Sequence, residues 1–329
     1  MNDINETLLK KGYRIVEEIG RGGFAVVYRI FCEKYQQFFA AKIFDVGKPE
    51  TSRNLGSFTT EISALCKISH PNVISVYSHF NDLNHLYIIL EYCPNGSMLS
   101  LVEEEGAIQF HYLVSFYEQL LSAINECHEK NVSHQDIKPS NVLIDAYGRA
   151  KLADFGLSKN IDMMVKSSRF CGSLPYLAPE VVLKQKHDPF KADIWSLGIT
   201  FYVMAFGKSP WNAKSEDNLL KQIMRGDVTY PDYPNELLVE FLKSILIINP
   251  DDRHSAQELL CHPIFRVNAK KKAMMNSRVN TELKKFARSQ TQKVPYSANI
   301  FKSKSRRASE ESIGKLPPLK PKHENKIVY

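Results

Sequence analysis

The hydrophobic rhythm of this chain changes once, at Asn95-Gly96. Before that point, short runs rich in branched and aromatic residues alternate with turns, at 13–19, 26–31, 38–44, 73–79 and 86–91. Such runs read as strands, and the one helical stretch among them, 58–67, falls between the third and the fourth. After Asn95-Gly96 the period lengthens. Leu113, Tyr117, Leu120, Leu121, Ile124 and Cys127 return at the spacing of a single helix face, and further helical runs cover about 191–206, 215–225 and 236–248. The expectation is an α+β chain of two lobes. A small, mostly antiparallel sheet with one main helix would occupy about 13–92, and a larger, mostly helical lobe about 93–265. An extension, 1–12, precedes them and a tail, 266–329, follows.

Length and charge agree with that division. A chain of 329 residues is long for one compact core and natural for two lobes plus a tail. The net charge of +7 looks at first like a nucleic-acid footprint, but residues 267–329 hold 16 Lys+Arg against 4 Asp+Glu. The preceding 266 residues therefore carry −5, and the basicity belongs to the appendage. No specific nucleic-acid partner is expected of the folded body. The first residues lack the basic-then-apolar layout of a signal peptide, and no apolar run is long enough to cross a bilayer. Six scattered cysteines without a C-x-x-C pair read as reduced thiols. Together these features predict a cytoplasmic protein, and the basic tail is also compatible with the nucleus.

Three segments carry chemistry. Gly20-Arg21-Gly22-Gly23 lies between two strands, where glycines let backbone amides approach phosphate oxygens. A strand–turn–strand setting argues against a dinucleotide-binding fold, which places such a turn before a helix. Lys42, in Ala40-Ala41-Lys42-Ile43, sits on an otherwise apolar strand and needs a partner. Glu61 on the following helix is the natural one, and the pair could fix Lys42 against phosphates. The decisive segment is His134-Gln135-Asp136-Ile137-Lys138-Pro139-Ser140-Asn141, followed after a turn at Tyr147-Gly148 by Asp154-Phe155-Gly156. Phosphoryl transfer needs charge neutralisation, metal ligands and a placed nucleophile rather than covalent help. Asp136 can orient a hydroxyl and accept its proton, Lys138 can neutralise a γ-phosphate, and Asn141 and Asp154 can hold magnesium. Two solvated turns would have to supply these residue types at this order and spacing by accident.

With these motifs the chain resembles the eukaryotic protein kinase family over about 13–265. The match extends through Ala178-Pro179-Glu180, Asp193-Ile194-Trp195-Ser196-Leu197-Gly198 and Arg253. The resemblance implies a bilobal fold and a serine/threonine protein kinase using ATP and Mg2+. It implies an ATP site of Ile19, Gly20, Gly22, Gly23, Val27, Ala40, Lys42, Leu90, Glu91, Cys93 and Leu143. Leu90 would stand as gatekeeper, and Glu91-Tyr92-Cys93 would be the hinge whose backbone meets adenine. Val27, Ala40 and Leu143 would form one apolar stack, and Leu65, Val76, His134 and Phe155 another. Asp136, Lys138, Lys42 and Glu61 would be catalytic, and Asn141 and Asp154 would bind the metal. Glu180 would pair with Arg253, and Asp193 would anchor the catalytic loop. Lys191–Gly198 and Ser209-Pro210-Trp211 look most like the calcium/calmodulin-dependent group.

Departures from the family pattern carry information of their own. Ala25 replaces the third glycine of the turn. Gln135 replaces the arginine that receives an activation-loop phosphate, and the usual acceptor position aligns with Arg169. Acceptor and receiver are both missing, so activity is expected not to require that phosphorylation; a phosphate on Ser167 or Ser168, met by Lys166 or Arg169, is the competing expectation. Ser97, Ser140 and Val203 stand where arginine-directed relatives carry acidic residues, which predicts weak arginine preference. Ser173 keeps the hydroxyl usually supplied by threonine, and Leu157 is the kind of residue that accompanies serine preference.

In the tail, Met275, Val279, Leu283 and Phe286 fall at helical spacing among basic residues. Such a helix could bind calmodulin or contact the body of the protein, and any docked surface helix shows the same spacing. Ser309, after Arg306-Arg307-Ala308, resembles a phosphosite for another kinase, and Pro318 and Pro321 fit a short polyproline ligand or a solvated linker. Protein substrates are the expected partners. The alternative function is a catalytically silent scaffold, although Lys42, Glu61, Asp136, Asn141 and Asp154 are all retained. A small-molecule kinase is disfavoured by Ala178-Pro179-Glu180 and by the full set of helical runs behind it.

Overall fold

In the computed structural model, residues 2–22, 25–46, 62, 66, 68–155, 174–232 and 235–266 are described. Gly23, Glu61, Leu65, Gly156, Leu157, residues 166–169, Ser173 and the tail from 267 onward lie outside them, as does most of the expected 58–67 helix.

The first lobe is a five-stranded antiparallel sheet in the order β1-β2-β3-β5-β4. Its strands are β1 (Tyr13–Arg21), β2 (Ala25–Cys32), β3 (Gln37–Asp45), β4 (Val76–Asn81) and β5 (His85–Glu91). Strand period gives the sheet two apolar faces. On one, Phe39, Ala41 and Ile43 pack with Ile30, Tyr87 and Ile89. This face is covered by a helix within the expected 1–12 extension, α1 (Asn2–Lys10). Its Leu8 is fully buried among those residues, worth about 1.5–3 kcal/mol by area. Asp82 holds the helix to the β4–β5 turn, accepting hydrogen bonds from Thr7 Oγ1 at 3.2 Å and Tyr87 Oη at 2.6 Å. The other face presents Ala40, Lys42 and Phe44 towards the second lobe.

Strand β4 starts three residues later than the rhythm predicts. Val73 and Ile74 have left the first lobe's sheet: Val73 bridges Leu152, and Ile74 N–H donates to the Leu152 carbonyl at 2.9 Å. Leu152 belongs to a small hairpin, β6 (Val142–Ile144) and β7 (Ala150–Leu152), which also pairs with the chain after β5. Asn95 N–H donates to the Ile144 carbonyl, and Ile144 N–H to that of Gly96. The hairpin thus grips both chain segments that join the lobes.

The second lobe is built on α2 (Met98–Glu105), α3 (Phe110–Glu129), α4 (Pro179–Val182), α5 (Pro189–Phe206), α6 (Glu216–Arg225), α7 (Glu236–Ile245) and α8 (Ala256–Leu260). Helix α5 is apolar nearly all round and lies at the centre. Asp188 caps its start and Gly207, at φ 67°, ends it. It packs against α7 so closely that a Cβ on Gly198 would lie 2.5 Å from Ile245 Cγ2, which requires glycine there. Helix α7 ends at Ile245, short of the expected 248, and beyond it the Ile247 and Ile248 carbonyls accept from Arg253. Among the described residues, no helix is long and apolar enough to cross a membrane.

Candidate active site

The cleft between the lobes is lined from both sides. From the first lobe, β1 carries a register shift between Glu18 and Gly20, so Ile19 lies at a bulge immediately before the glycine turn. Gly22 N–H closes that turn on the Ala25 carbonyl at 2.8 Å. Val27 pairs in register with Lys42, and Ala40 with Leu90. Below them, Leu143 and Cys93 pack with Ile74 and Ala153 in one buried apolar cluster. Burial pushes the Cys93 thiol up to about 12, so it stays protonated beside this floor.

Lys42 is 7% exposed and meets the carboxylate of Asp154 across the cleft. Burial would raise the Asp154 carboxyl, but the charge and hydrogen bond of Lys42 outweigh it and hold the group below the usual carboxylate range. Glu61, the partner expected for Lys42 from the sequence, lies outside the described residues. Asp154 itself adopts φ 61° and Gln135 φ 63°. Left-handed backbone costs a non-glycine residue roughly 1–2 kcal/mol, and it persists only where surrounding contacts over-determine it.

Those contacts are visible for Gln135. Asp193, buried in α5, accepts from His134 N–H and Gln135 N–H at 2.7 Å each, and from His128 Nε2 at 3.0 Å. The His134 ring spans the loop. Its Nδ1 accepts from Asp136 N–H at 3.2 Å, while its Nε2 donates to the Ala153 carbonyl at 2.9 Å. Its face lies 4.4 Å from the Phe155 ring, centroid to centroid. Asp136, 8% exposed, is thereby aimed into the cleft. Asn141 Nδ2 donates to its Oδ2 at 2.9 Å and to its carbonyl at 2.8 Å, and Lys138 Nζ lies 3.0 Å from the same Oδ2. The Gln135 side chain turns away and donates to Ser133 Oγ at 2.8 Å.

The histidine network has a pH consequence. Burial holds the fully enclosed His134 below its ordinary value of 6.5, and both ring nitrogens are engaged as the neutral tautomer. The unfolded chain takes up that proton near pH 6.5 and the folded chain does not. The stabilising contribution is therefore intact above about pH 6.5 and falls as the pH drops towards the lower folded value, by at most about 1.4 kcal/mol per pH unit. Urea midpoints measured at pH 7.5 and 5.5 should show the lower value at 5.5; equal midpoints would contradict this.

A second buried constellation braces the lobe beneath. All five guanidinium N–H groups of Arg253 are used: bidentate on Glu180 at 2.8 and 3.2 Å, and on the carbonyls of Ile247, Lys191 and Ile248. The guanidinium also lies 5.2 Å from the Trp195 ring centroid. A third charged pair was not foreseen. Lys151, in the middle of β7, places Nζ 2.7 Å from Glu91 Oε1 and 2.8 Å from Oε2. The available signal was a lysine inside the apolar run Ala150-Lys151-Leu152, which cannot be buried without a partner.

Comparison with known proteins accords with this geometry. The protein kinase domain family matches residues 13–265. The chain is 33% identical over 251 residues to "Sperm motility kinase 3A" of Mus musculus, covering 76% of this chain and 49% of the relative. It is 33% identical over 265 residues to "CBL-interacting protein kinase 10" of Oryza sativa subsp. japonica, covering 79% and 58%. With "Probable serine/threonine-protein kinase MARK-A" of Dictyostelium discoideum, identity is 32% over 254 residues, covering 76% and 24%. The chain thus spans between a quarter and three-fifths of the length of these relatives. Matched family, bilobal fold and cleft together establish that the chain belongs to the protein kinase family.

Proposed function

We propose that this chain transfers the γ-phosphoryl group of ATP to serine, and less often threonine, hydroxyls of proteins. The observation carrying the reading is the convergence of Asp136, Lys138 and Asn141 on one point of the cleft, with Lys42 and Asp154 paired in it. The donor set fits a hard divalent cation: Asp154 is held ionised, and Asn141 offers an amide oxygen. Mg2+, when bound there with ATP, would neutralise phosphate charge. The chain's own residues do the rest. Val27, Ala40 and Leu143 exclude water around the adenine, and the backbone of Glu91 and Cys93 orients it. Lys42 holds phosphate oxygens. Asp136 orients the acceptor hydroxyl and takes its proton, while Lys138 faces the transferred group.

Two finer expectations belong to this reading. Ser97 is buried and its hydroxyl caps α2, accepting from Ser100 N–H, and Val203 is buried within α5. Neither offers a carboxylate to a substrate arginine, so selection for upstream arginines should be weak. A peptide array with labelled ATP and Mg2+ tests substrate and selectivity together. Serine peptides should be labelled above threonine, tyrosine peptides should stay blank, and a sharp upstream-arginine requirement would overturn the selectivity.

The second concerns control. The side chain at 135 is a neutral amide engaged with Ser133, where a phosphate would need a guanidinium. Activity should therefore survive phosphatase treatment and the Ser167→Ala/Ser168→Ala change within about twofold, as no charge-assisted contact is lost. Loss of turnover in both would show that loop phosphorylation is required.

A further inference from the structure

Two buried ammonium–carboxylate pairs cross the cleft, with opposite polarity. At the front, Lys42 of the first lobe meets Asp154 of the second; at the rear, Glu91 at the end of β5 meets Lys151 of β7. Lys151 is 4% exposed, and Glu91 is engaged from a second side: Ser75 N–H approaches its Oε2 at 3.3 Å, and Glu91 N–H donates to the Ser75 carbonyl at 2.9 Å. Strand β7 is short and stiffly held. Lys151 pairs with Leu143, its neighbour Leu152 accepts from Ile74 and donates to Asn72, and Asp154 follows three residues on. One strand thus carries a cation to the hinge and, at its end, an anion to the front of the cleft.

The two pairs cannot serve the same purpose once nucleotide enters. Lys42 and Asp154 must exchange each other for phosphates and metal, so the front connection opens. The rear pair touches neither, and it remains to fix the hinge against the hairpin that forms the adenine floor. We propose that Lys151 is a positioning residue for ATP: through both carboxylate oxygens of Glu91 it fixes where the backbone of residues 91–93 meets the adenine edge, relative to Leu143 below. The inference rests on the reading of 91–93 as the adenine-binding hinge. Removing the cation leaves a buried carboxylate without its partner, which then seeks water and carries the hinge with it. The loss should fall on nucleotide binding, not on the chemical step, because the Asp136 carboxylate is positioned through His134 and Asn141 rather than through Glu91.

The test uses the full chain. ATP dissociation constants are measured by calorimetry, with kcat and KM for ATP and for a serine peptide, on the parent, Lys151→Met, Lys151→Arg and Glu91→Gln. Lys151→Met and Glu91→Gln should each raise both the ATP Kd and KM about tenfold, with kcat and peptide KM within about twofold. The double variant should be no worse than either single one, and Lys151→Arg should recover most of the loss. A Lys151→Met chain that melts earlier but binds ATP as the parent does would overturn the proposal, leaving the pair a structural one. So would an equal fall in kcat and kcat/KM. Should Lys151→Met fail to fold, the isosteric Glu91→Gln decides by the same criterion. A parent chain that binds no ATP removes the adenine reading and the proposal with it, whereas a binding parent with unaffected variants overturns the proposal alone.

Discussion

Asp136→Asn is expected to lower kcat by about a thousandfold, within the 10²–10⁴ range of a lost general base, while the ATP dissociation constant stays within about threefold. The amide has the shape of the carboxylate and can still accept from Asn141 Nδ2, so the loop retains its fold. It cannot take a proton, and it no longer offsets the Lys138 ammonium 3.0 Å away. The split is the informative part. Asp136 is positioned by His134 and Asn141 and lies outside the apolar cluster of Leu143 and Cys93 proposed to meet adenine, so binding and chemistry should separate. A fall in kcat below about tenfold would mean that the acceptor hydroxyl is oriented by another group.

Arg253→Met should produce the largest loss of stability, about 3–5 kcal/mol, because Glu180 is left buried as an unpaired charge. For a domain of this size that corresponds to a melting point lower by about 10 °C. Two companion variants separate charge from packing. Arg253→Lys should restore little, since one ammonium cannot reach the two Glu180 oxygens and the three carbonyls that the guanidinium serves. Arg253→Met/Glu180→Met should be more stable than Arg253→Met alone, since no orphan charge remains. Calorimetric melting of the four proteins checks the order, and a double variant less stable than Arg253→Met would contradict it.

Much of this molecule was legible in its sequence, and the places where it was not share a physical cause. Strand and helix runs came from periodicity, and β1, β2, β3 and β5 lie within two residues of their expected positions. The loop from His134 to Asn141 stood out as a candidate site because phosphoryl transfer demands particular residue types at fixed spacing. The misses are long-range. Nothing local in Asn2–Lys10 announces that Leu8 finds a pocket on the outer sheet face, since the Asp82 contact lies 75 residues from Thr7. Glu91 was read through its backbone only, because its side-chain partner is 60 residues further on. Gln135 shows the same limit from the other side. Its identity was informative at once, but its φ of 63° and its two supports from Asp193 and Ser133 required coordinates.

In the proposed function this cleft transfers phosphate and does not merely bind nucleotide or partners. The full chain and its Asp136→Asn variant, both shown by calorimetry to bind ATP, are incubated with Mg2+, ATP and a serine peptide, and the peptide mass is followed. One added phosphate on serine is expected with the parent and almost none with the variant. A parent that binds ATP and leaves the peptide unmodified, or a variant that modifies it as fast as the parent, would contradict phosphate transfer through Asp136.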